Sequence, residues 1–511
     1  MARFWWDSPV AGNAGRTKGH DDEAYYVLPE PIRQRLIVLA RKYYAGQQKV
    51  LMTRRQQEYL DLHGDAEVDF SFNYCKTIIN AVVEKLRVQG FKTGSETLQN
   101  QLWEWWNINR MDAKQNDIHR YTGRDGECFI MVDWNVEEQY PEFILHPRYT
   151  GKENRGDDYG VYFVYPNNDF LLKPSFAVKH FEDLDEKGMP RKRRTTYYPD
   201  MIKKECFKNG KWVGLSDPGD TEWPIPFRTN DGKPLGIPFA HIANPDCLSD
   251  LRDVISWQDA VNKTWLDVMA VADSEGFRTT FTFGFRPTLD GKEPSSDGSN
   301  LIRVAPGNIV STTKPPNQAS VVVVDPGDIT GMLNLEDRLL QRVSSLSNIP
   351  ISRFQTSHLI ASDQTLQEEE APLLSKVEER QTLYGNGYED LMKIAVLHAN
   401  EFGGMGLEVR KDIEINWKNP EVRSAGTQVD LAAKKQVLGI PSDLWLADMY
   451  SPEVIETIKN NPEFQLKMKL MQEAMQNAVD MTNRVQNGGR PGMFNQNAVK
   501  ANGNGNSGGQ Q

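Results

Sequence analysis

Two stretches near the middle of the chain repeat one spacing of apolar residues, at steps of three and four positions. The two series are Val254, Trp257, Val261, Trp265 and Val268, then Met332, Leu335, Leu339, Val343 and Leu346. Such spacing puts apolar side chains on one face of an α-helix. The sequence therefore predicts two long helices, over residues 249–274 and 327–349.

The segment between these helices, residues 275–326, is rich in strand and turn residues instead. Short runs of β-branched and aromatic residues predict strands at 279–285, 301–304, 308–312 and 320–324. We therefore expect a small strand-rich subdomain that projects from the end of the helix pair.

A long charged helix is predicted beyond the second stripe, from about residue 364 to 402, after an irregular loop that begins at Pro350. Pro372 lacks a backbone donor, so it is predicted to kink this helix near its start. Gly385 and Gly387 are predicted to bend it again. A strand at 412–417 and a helical region at 429–480 follow, and the Asn- and Gly-rich residues from 482 onward are predicted to be disordered.

The first half of the chain mixes helix and strand patterns, which predicts an α+β domain over residues 61–248. Helices are predicted at 29–61, 73–88 and 96–121, the last as one continuous helix. A buried strand is expected at 128–132, and further strands at 142–145, 160–165, 194–198 and 201–207.

The length and net charge of the chain limit the classes of function that fit it. At 511 residues the chain exceeds what one hydrophobic core supports, so two or more packed units are expected. Its 59 basic and 70 acidic residues give a net charge of −11, which argues against tight binding of nucleic acid by the whole surface. No apolar run approaches the ~20 residues of a membrane-spanning helix, so no membrane partner is expected.

The sequence contains no G-x-x-x-x-G-K-[ST], H-E-x-x-H or G-x-S-x-G motif, so no catalytic, cofactor or metal site is predicted. Four widely spaced cysteines suggest neither a zinc site nor a disulfide framework, and favour a reducing compartment. The acidic run that starts at Glu368 is interpreted as a solvated or intersubunit helix face. The basic run 191–194 is interpreted as a solvated turn between strands, with contact to nucleic acid or an acidic partner as the alternative. Histidines are taken as structural, and helix tryptophans as core or subunit interface.

Several short phrases occur in an order that resembles one protein family. The phrases are NYCKTIIN at 73–80 with Gly90-Phe91, WNIN at 106–109, LGIP at 235–238, SDLR at 249–252 with QDAVN at 258–262, Ile349-Pro350, and KKQVLGIP at 434–441. Their order over residues 69–449 resembles the portal, or head-to-tail connector, proteins of tailed bacteriophages, in their siphophage-type branch.

This resemblance implies an α+β multidomain subunit that assembles into a ring around a central channel. The implied parts are an N-terminal helical segment (1–60), wing (61–248), first stem helix (249–274), clip (275–326), second stem helix (327–349), tunnel loop (350–363), long kinked wing helix with a strand (364–424), helical crown (425–480) and disordered tail (481–511). The ring would usually contain twelve copies.

The implied function is structural, without an enzymatic activity or a cofactor. A portal ring at one capsid vertex would pass double-stranded DNA inward during packaging by the terminase large subunit, and outward during ejection. Head-tail connector or adaptor proteins, the major capsid protein and scaffolding proteins are the other implied partners. The implied location is the portal vertex of the virion, after assembly in the host cytoplasm.

The resemblance also assigns roles to individual residues. The tunnel loop would present Arg353, Phe354, Gln355, Ser357 and His358 to DNA, with Arg353 as the best candidate for direct contact. The clip would meet its partners through Phe285, Arg286 and Arg303. The stem interface, whose apolar stripe neighbouring copies would cover, comprises Val254, Trp257, Val261, Trp265, Leu335, Leu339 and Val343.

Two alternatives remain open on sequence grounds. A metal-dependent nuclease would need Asp and Glu ligands that converge in one pocket. Another capsid-associated ring or adaptor protein would form the same kind of oligomer but would lack a clip that binds the terminase.

Overall fold

The computed structural model describes residues 30–48, 72–150, 160–166, 173–185, 187–220, 222–276, 280–283, 320–323, 330–355, 363–410 and 412–421, with single residues and short pieces elsewhere. Residues 1–421 form one compact unit and residues 422–511 a second. In the second unit the described pieces include helical residues 462–466. The predicted strands at 301–304 and 308–312, most of the predicted crown and the predicted tail lie outside the described residues.

The first unit combines helices with antiparallel sheets. Its helices are α1 Glu30–Tyr44, α2 Tyr74–Val83, α3 Glu96–Ile108, α4 Met111–Asp125, α5 Ile255–Gly276, α6 Thr330–Ser347 and α7 Asp363–Gly403. Its strands are β1 Val88–Lys92, β2 Glu127–Asn135, β3 Tyr140–Pro147, β4 Gly160–Val164, β5 Phe176–Leu184, β6 Pro190–Tyr197, β7 Met201–Lys208, β8 Lys211–Gly214, β9 Ile225–Pro226, β10 Phe239–Ala243, β11 Thr280–Phe283, β12 Ser320–Val323 and β13 Glu414–Trp417.

Side-chain caps fix the starts of α2 and α3. The Asn73 side chain accepts a hydrogen bond from the Lys76 amide, and the Ser95 side chain accepts one from the Leu98 amide. Each cap satisfies a backbone donor that the helix itself leaves unpaired. α1 ends at Tyr44, well before the predicted end near residue 61.

The prediction of one helix over residues 96–121 was wrong, because the chain breaks between α3 and α4. Arg110 adopts a left-handed conformation with φ of 54°. The buried Asn109 side chain donates to the Trp105 and Pro141 carbonyls and accepts from the Phe143 amide. Asn109 therefore ends α3 and attaches it to β3.

Two antiparallel sheets lie within residues 127–243. The first has the order β10-β2-β3, and the second β4-β5-β6-β7-β8 with β9 paired to β7. The central strand β2 is buried over most of its length because both of its edges are paired and the helices of the main core pack against it. A smaller core of Phe129, Val161, Ala177, Tyr197 and Phe239 joins the two sheets. Strands β1, β5, β8, β9 and β10 were not predicted.

The basic run 191–194 belongs to strand β6, so its interpretation as a turn was wrong. Arg191 and Arg193 both bind Asp183, and Arg194 binds Glu205 on the neighbouring strand β7. These ion pairs between neighbouring strands neutralise most of the positive charge of the basic run. Little of that charge is therefore available to bind nucleic acid.

Helix α7 runs through the main core and continues without a break through Pro372, Gly385 and Gly387. Gly387 has a packing role, because a Cβ atom there would lie 2.5 Å from the His241 carbonyl oxygen of β10. A glycine at this position lets the helix approach the backbone of the strand closely.

Gly387→Ala tests this close approach. The added methyl would collide with strand backbone that cannot move alone, so we expect a loss of about 1–3 kcal/mol in the free energy of unfolding. Gly331→Ala in α6 is the matched control, because nothing lies within 4 Å of the added methyl. Urea denaturation would measure both variants, and equal stability of the two would contradict the packing role.

Two histidines, His119 and His398, are buried in the fold, and burial shifts their pKa values. Burial lowers the pKa of His119 from 6.5 to about 3 and that of His398 from 6.5 to about 4. The His119 ring lies 3.0 Å from the Tyr388 hydroxyl, whereas both ring nitrogens of His398 lack a hydrogen-bond partner among the described residues. His398 instead contacts the rings of Phe227 and Phe402.

These depressed pKa values predict a pH dependence with a definite sign. Below pH 6.5 the unfolded chain takes up protons that the folded chain does not, so stability falls as the pH drops from 6.5 toward 4. The loss approaches roughly 1.4 kcal/mol per pH unit for each such histidine. His398→Leu should flatten this dependence and raise stability at neutral pH by about 1 kcal/mol, because two unpaired buried nitrogens are removed. Thermal melts between pH 7 and 4 would measure both effects, and an unchanged slope would contradict the assignment.

Candidate functional site

The predicted helix pair is present, with a strand pair next to it in sequence. Helices α5 and α6 pack against each other, and β11 pairs with β12 in an antiparallel register of Thr280 with Val323. The strands follow α5 and precede α6 in the chain. Phe285, Arg286 and Arg303 lie outside the described residues.

The residues of the apolar stripe fall into different environments. Val254, Val261 and Val343 are buried in the core of the chain itself. Trp257, Trp265 and Leu339 are partly buried against that core, whereas Leu335 is 49% exposed. A single copy therefore covers part of the stripe, and contact between copies stays a prediction for the rest.

Two buried side-chain amides attach α5 to the segments around residues 48 and 72–74. Gln258 accepts a hydrogen bond from the Tyr74 amide and donates to the Phe72 carbonyl oxygen. Asn262, one turn later, accepts from the Phe72 amide and donates to the Gln48 side chain. Both amides are fully buried, so the contact fixes the position of α5 along its axis.

One buried carboxylate joins the segments at the foot of the helix pair. Asp250, just before α5, lies 2.8 Å from Arg380 Nη2 and 3.4 Å from Lys376 Nζ, both on α7. Lys376 also donates to the Ser347 carbonyl oxygen at the end of α6. All three charged side chains are at least nine-tenths buried. The triad therefore connects the start of α5, the end of α6 and the middle of α7.

The loop after α6 begins in the core and then reaches the surface. Phe354 is buried and contacts the edge of the Tyr74 ring. Arg353 is half-exposed, with Nη1 3.2 Å from the Glu84 carboxylate, and Gln355 donates to Asp337. Ser357 and His358 lie outside the described residues. Among the described loop residues, Arg353 is the cation that the surface presents.

One group in the described part of the chain has ligand types and spacing suited to a metal ion: Glu127, His241 and Cys247. Glu127 Oε1 already accepts from Arg33 at 2.7 Å and from Arg148 at 2.9 Å. Its other oxygen lies 2.8 Å from His241 Nε2. Two guanidinium groups beside the carboxylate disfavour a divalent cation.

This group is better explained as a structural ion network. Burial alone would raise the pKa of Glu127, but the hydrogen bond from His241 and the charges of Arg148 and Arg33 hold it well below its usual range. Burial raises the pKa of Cys247, which disfavours the thiolate that a metal needs. The network links α1 to strands β2 and β10.

The acidic residues of α7 do not converge on a second such group within the described ranges. Glu370 binds Lys85, Glu379 binds Arg380, and Asp390 binds Lys393. They therefore offer no nuclease-type pocket there. Among the described residues, no helix is both long and apolar enough to cross a bilayer.

Comparison with known proteins gives one consistent family. The model of the family described as phage portal protein, SPP1 Gp6-like, matches residues 33–460. A portal protein of Mycobacterium phage D29 is 21% identical over 382 residues, covering 71% of each chain. A portal protein of Mycobacterium phage L5 is 22% identical over 427 residues, covering 78% of this chain and 79% of the relative.

A solved structure is also similar to this chain. It is described as the neck of an empty GTA particle computed with C6 symmetry, and it aligns with a TM-score of 0.37 at 10% sequence identity. The alignment covers 72% of this chain and 88% of the other.

Asp250→Asn tests the triad at the foot of the helix pair. The substitution keeps the shape of the side chain but leaves Arg380 and Lys376 buried without their carboxylate, which costs about 3–5 kcal/mol in a buried pair. Asp390→Asn on α7 is the control, because its pair with Lys393 is exposed and should contribute under about 0.5 kcal/mol. Chemical denaturation would measure the free energy of unfolding of both variants. Similar losses in the two would show that the buried triad contributes no more to stability than an exposed ion pair.

Proposed function

We propose a function from one premise: the chain belongs to the phage portal protein family of SPP1 Gp6-like type, whose model matches residues 33–460. The family is structural, and the chain is accordingly a component of the phage particle with portal function.

The proposal is a ring of twelve copies at one vertex of the capsid, with a central channel. Double-stranded DNA would enter through this channel during packaging by the terminase and leave through it during ejection. The observation that carries the proposal is the helix pair α5 and α6, which brackets the strands β11 and β12 and keeps Leu335 exposed in the single chain. A partly uncovered helix pair is expected of a subunit that completes its packing in an oligomer.

The charge of the chain supports a conduit rather than a binding surface. Each copy carries a net charge of −11. Twelve copies would therefore carry on the order of −130, which repels DNA and discourages adhesion to the wall. The arginines of strand β6 are neutralised by ion pairs within the sheet, which also weakens the attraction of this surface for DNA.

Arg353 is the proposed point of direct contact with DNA. Its pair with Glu84 is exposed on both sides, and exposed pairs are weak. A passing phosphate could therefore replace the Glu84 carboxylate at little cost. The proposed roles of Phe285, Arg286 and Arg303 at the clip, and of Ser357 and His358 in the loop, rest on the family alone.

The proposed partners follow from the same role. The clip would engage the terminase large subunit during packaging and the head-tail connector proteins afterwards. The wing would contact the major capsid and scaffolding proteins. Assembly would take place in the host cytoplasm, and the finished ring would remain at the portal vertex of the virion.

The mass and symmetry of the purified protein test the ring. We expect negative-stain class averages with a central channel wide enough for a duplex, and light scattering consistent with about twelve copies. A stable monomer or dimer across several salt concentrations would overturn the proposal.

Deleting residues 279–324 tests the clip separately. The deletion leaves α5 and α6 intact, so we expect rings of normal symmetry that no longer bind the terminase or support packaging. Deleting residues 482–511 is the matched control and should preserve both. Normal terminase binding without residues 279–324 would contradict the assignment of this segment as the clip, and full-length rings that do not bind the terminase would favour another capsid-associated ring or adaptor protein.

A further inference from the structure

The chain that follows helix α6 begins with an ordered turn. It leaves the helix at Asn348, which adopts a left-handed conformation with φ of 57°. Ile349 is buried, and a 3-10 turn follows at Ile351–Arg353. The Phe354 and Gln355 amides then both donate to the Ile351 carbonyl oxygen. We call this stretch, residues 349–355, the loop base.

The loop base lies along helix α2 and contacts both of its ends. The Phe354 ring meets the ring of Tyr74, the first residue of α2, edge to face at a centroid distance of 5.6 Å. Arg353 Nη1 lies 3.2 Å from the carboxylate of Glu84, which directly follows α2. Phe354 is 8% exposed, whereas the Arg353 and Glu84 side chains are 39% and 58% exposed. The buried ring contact therefore holds the loop base more firmly than the exposed ion pair does.

The start of helix α2 is itself fixed on α5. The Tyr74 amide donates to Gln258 Oε1 of α5. The Phe72 ring lies 5.0 Å from the Trp265 ring of α5 and stacks on the Tyr74 ring at 6.1 Å, measured between centroids. A continuous row of four rings thus runs from α5 to the loop base: Trp265, Phe72, Tyr74 and Phe354.

We propose that Tyr74 is a positioning residue for the DNA contact of Arg353. The inference rests on the proposed function, in which Arg353 meets the passing DNA, and it names the group that holds the Arg353 backbone in place. To bind a phosphate, the Arg353 side chain must leave Glu84. During this exchange the contact between Tyr74 and Phe354 keeps the neighbouring backbone on α2, so only the arginine side chain has to move.

A backbone that is held in advance strengthens a weak contact. Ordering a loop residue at the moment of binding costs conformational entropy. Each residue that is already ordered removes that cost from the binding step. Arg353 offers DNA one charge on an ordered turn, so the same side chain on a loose turn would bind phosphate more weakly.

Two other roles for Phe354 fit this geometry less well. Direct contact of its ring with DNA, which the family resemblance implies, would require the ring at the surface, but the ring is buried against Tyr74. Core packing without a positioning role predicts that changes at Tyr74 alter stability but leave the DNA contact of Arg353 as it is. Only a positioning role links the two.

Tyr74→Leu tests the support of the loop base in rings without DNA. Leucine keeps an apolar side chain at the start of α2 but removes the ring that Phe354 contacts. We expect deuterium exchange of the Phe354 and Gln355 amides to accelerate roughly tenfold, because the loop base opens more often. Tyr74→Phe keeps the ring and should match the wild type. Phe163→Leu is the matched control, because its partly buried ring contacts Phe129 beside a different core, and it should leave these two amides unchanged.

A double-mutant cycle with Arg353→Gln tests the link to DNA. Wild-type and variant rings are titrated with a short duplex at several salt concentrations, because loss of a phosphate contact lowers the affinity and flattens its salt dependence. Arg353→Gln should do both, and Tyr74→Leu should weaken binding roughly threefold or more. The double variant should bind no more weakly than Arg353→Gln alone, because Tyr74 acts through Arg353. Tyr74→Phe should restore wild-type affinity, and Phe163→Leu should retain it.

The outcomes separate the inference from the proposed function. Unchanged exchange in Tyr74→Leu, equal effects of Tyr74→Leu and Tyr74→Phe, or additive losses in the double variant would overturn the positioning role and leave the portal ring in place. Wild-type rings that do not bind the duplex, or Arg353→Gln rings that bind it as well as the wild type, would instead overturn the proposed DNA contact. If Tyr74→Leu does not form rings, Phe354→Leu removes the same contact from the loop side and takes its place in both measurements.

Discussion

The position of the helix pair depends on one buried carboxylate. Asp250 is shared by Arg380 and Lys376, and it is the point where α5, α6 and α7 meet. Charges removed from water are tolerated only when they are paired with good geometry, so this contact admits few alternative arrangements. Apolar contacts elsewhere in the core supply most of the stability, but they tolerate sliding more readily.

The sequence predicted the long elements well because their patterns are repeated many times. The stripes of α5 and α6, the charged helix α7 and the strands β11 and β12 all appear close to their predicted positions. The break at Asn109 and Arg110 was missed because the apolar period continues across it, and only the tertiary contacts of Asn109 with β3 reveal it. Strand β5 was missed because its charged residues find partners on neighbouring strands, which a local pattern does not show.

The candidate site was harder to predict than the fold. Periodicity identifies an apolar face but not what covers it, and so it gave Val343 and Leu335 the same role although one is buried in the chain and the other is exposed. The QDAVN phrase at 258–262 was noted for its resemblance alone. Its physical role, two buried amides that bind the backbone at Phe72, needs the distant segment to be in place.

A ring places an unusual demand on these polar contacts. Copies related by a fixed rotation close only if that rotation divides a full turn, so a small error in the angle of each subunit accumulates around the circle. A helix pair held to the rest of the subunit by apolar packing alone could shift along its axis. Hydrogen bonds from Gln258 and Asn262, together with the Asp250 triad, allow no such shift without breaking buried polar contacts. We therefore interpret the buried polar groups at the base of α5 as the feature that sets subunit geometry.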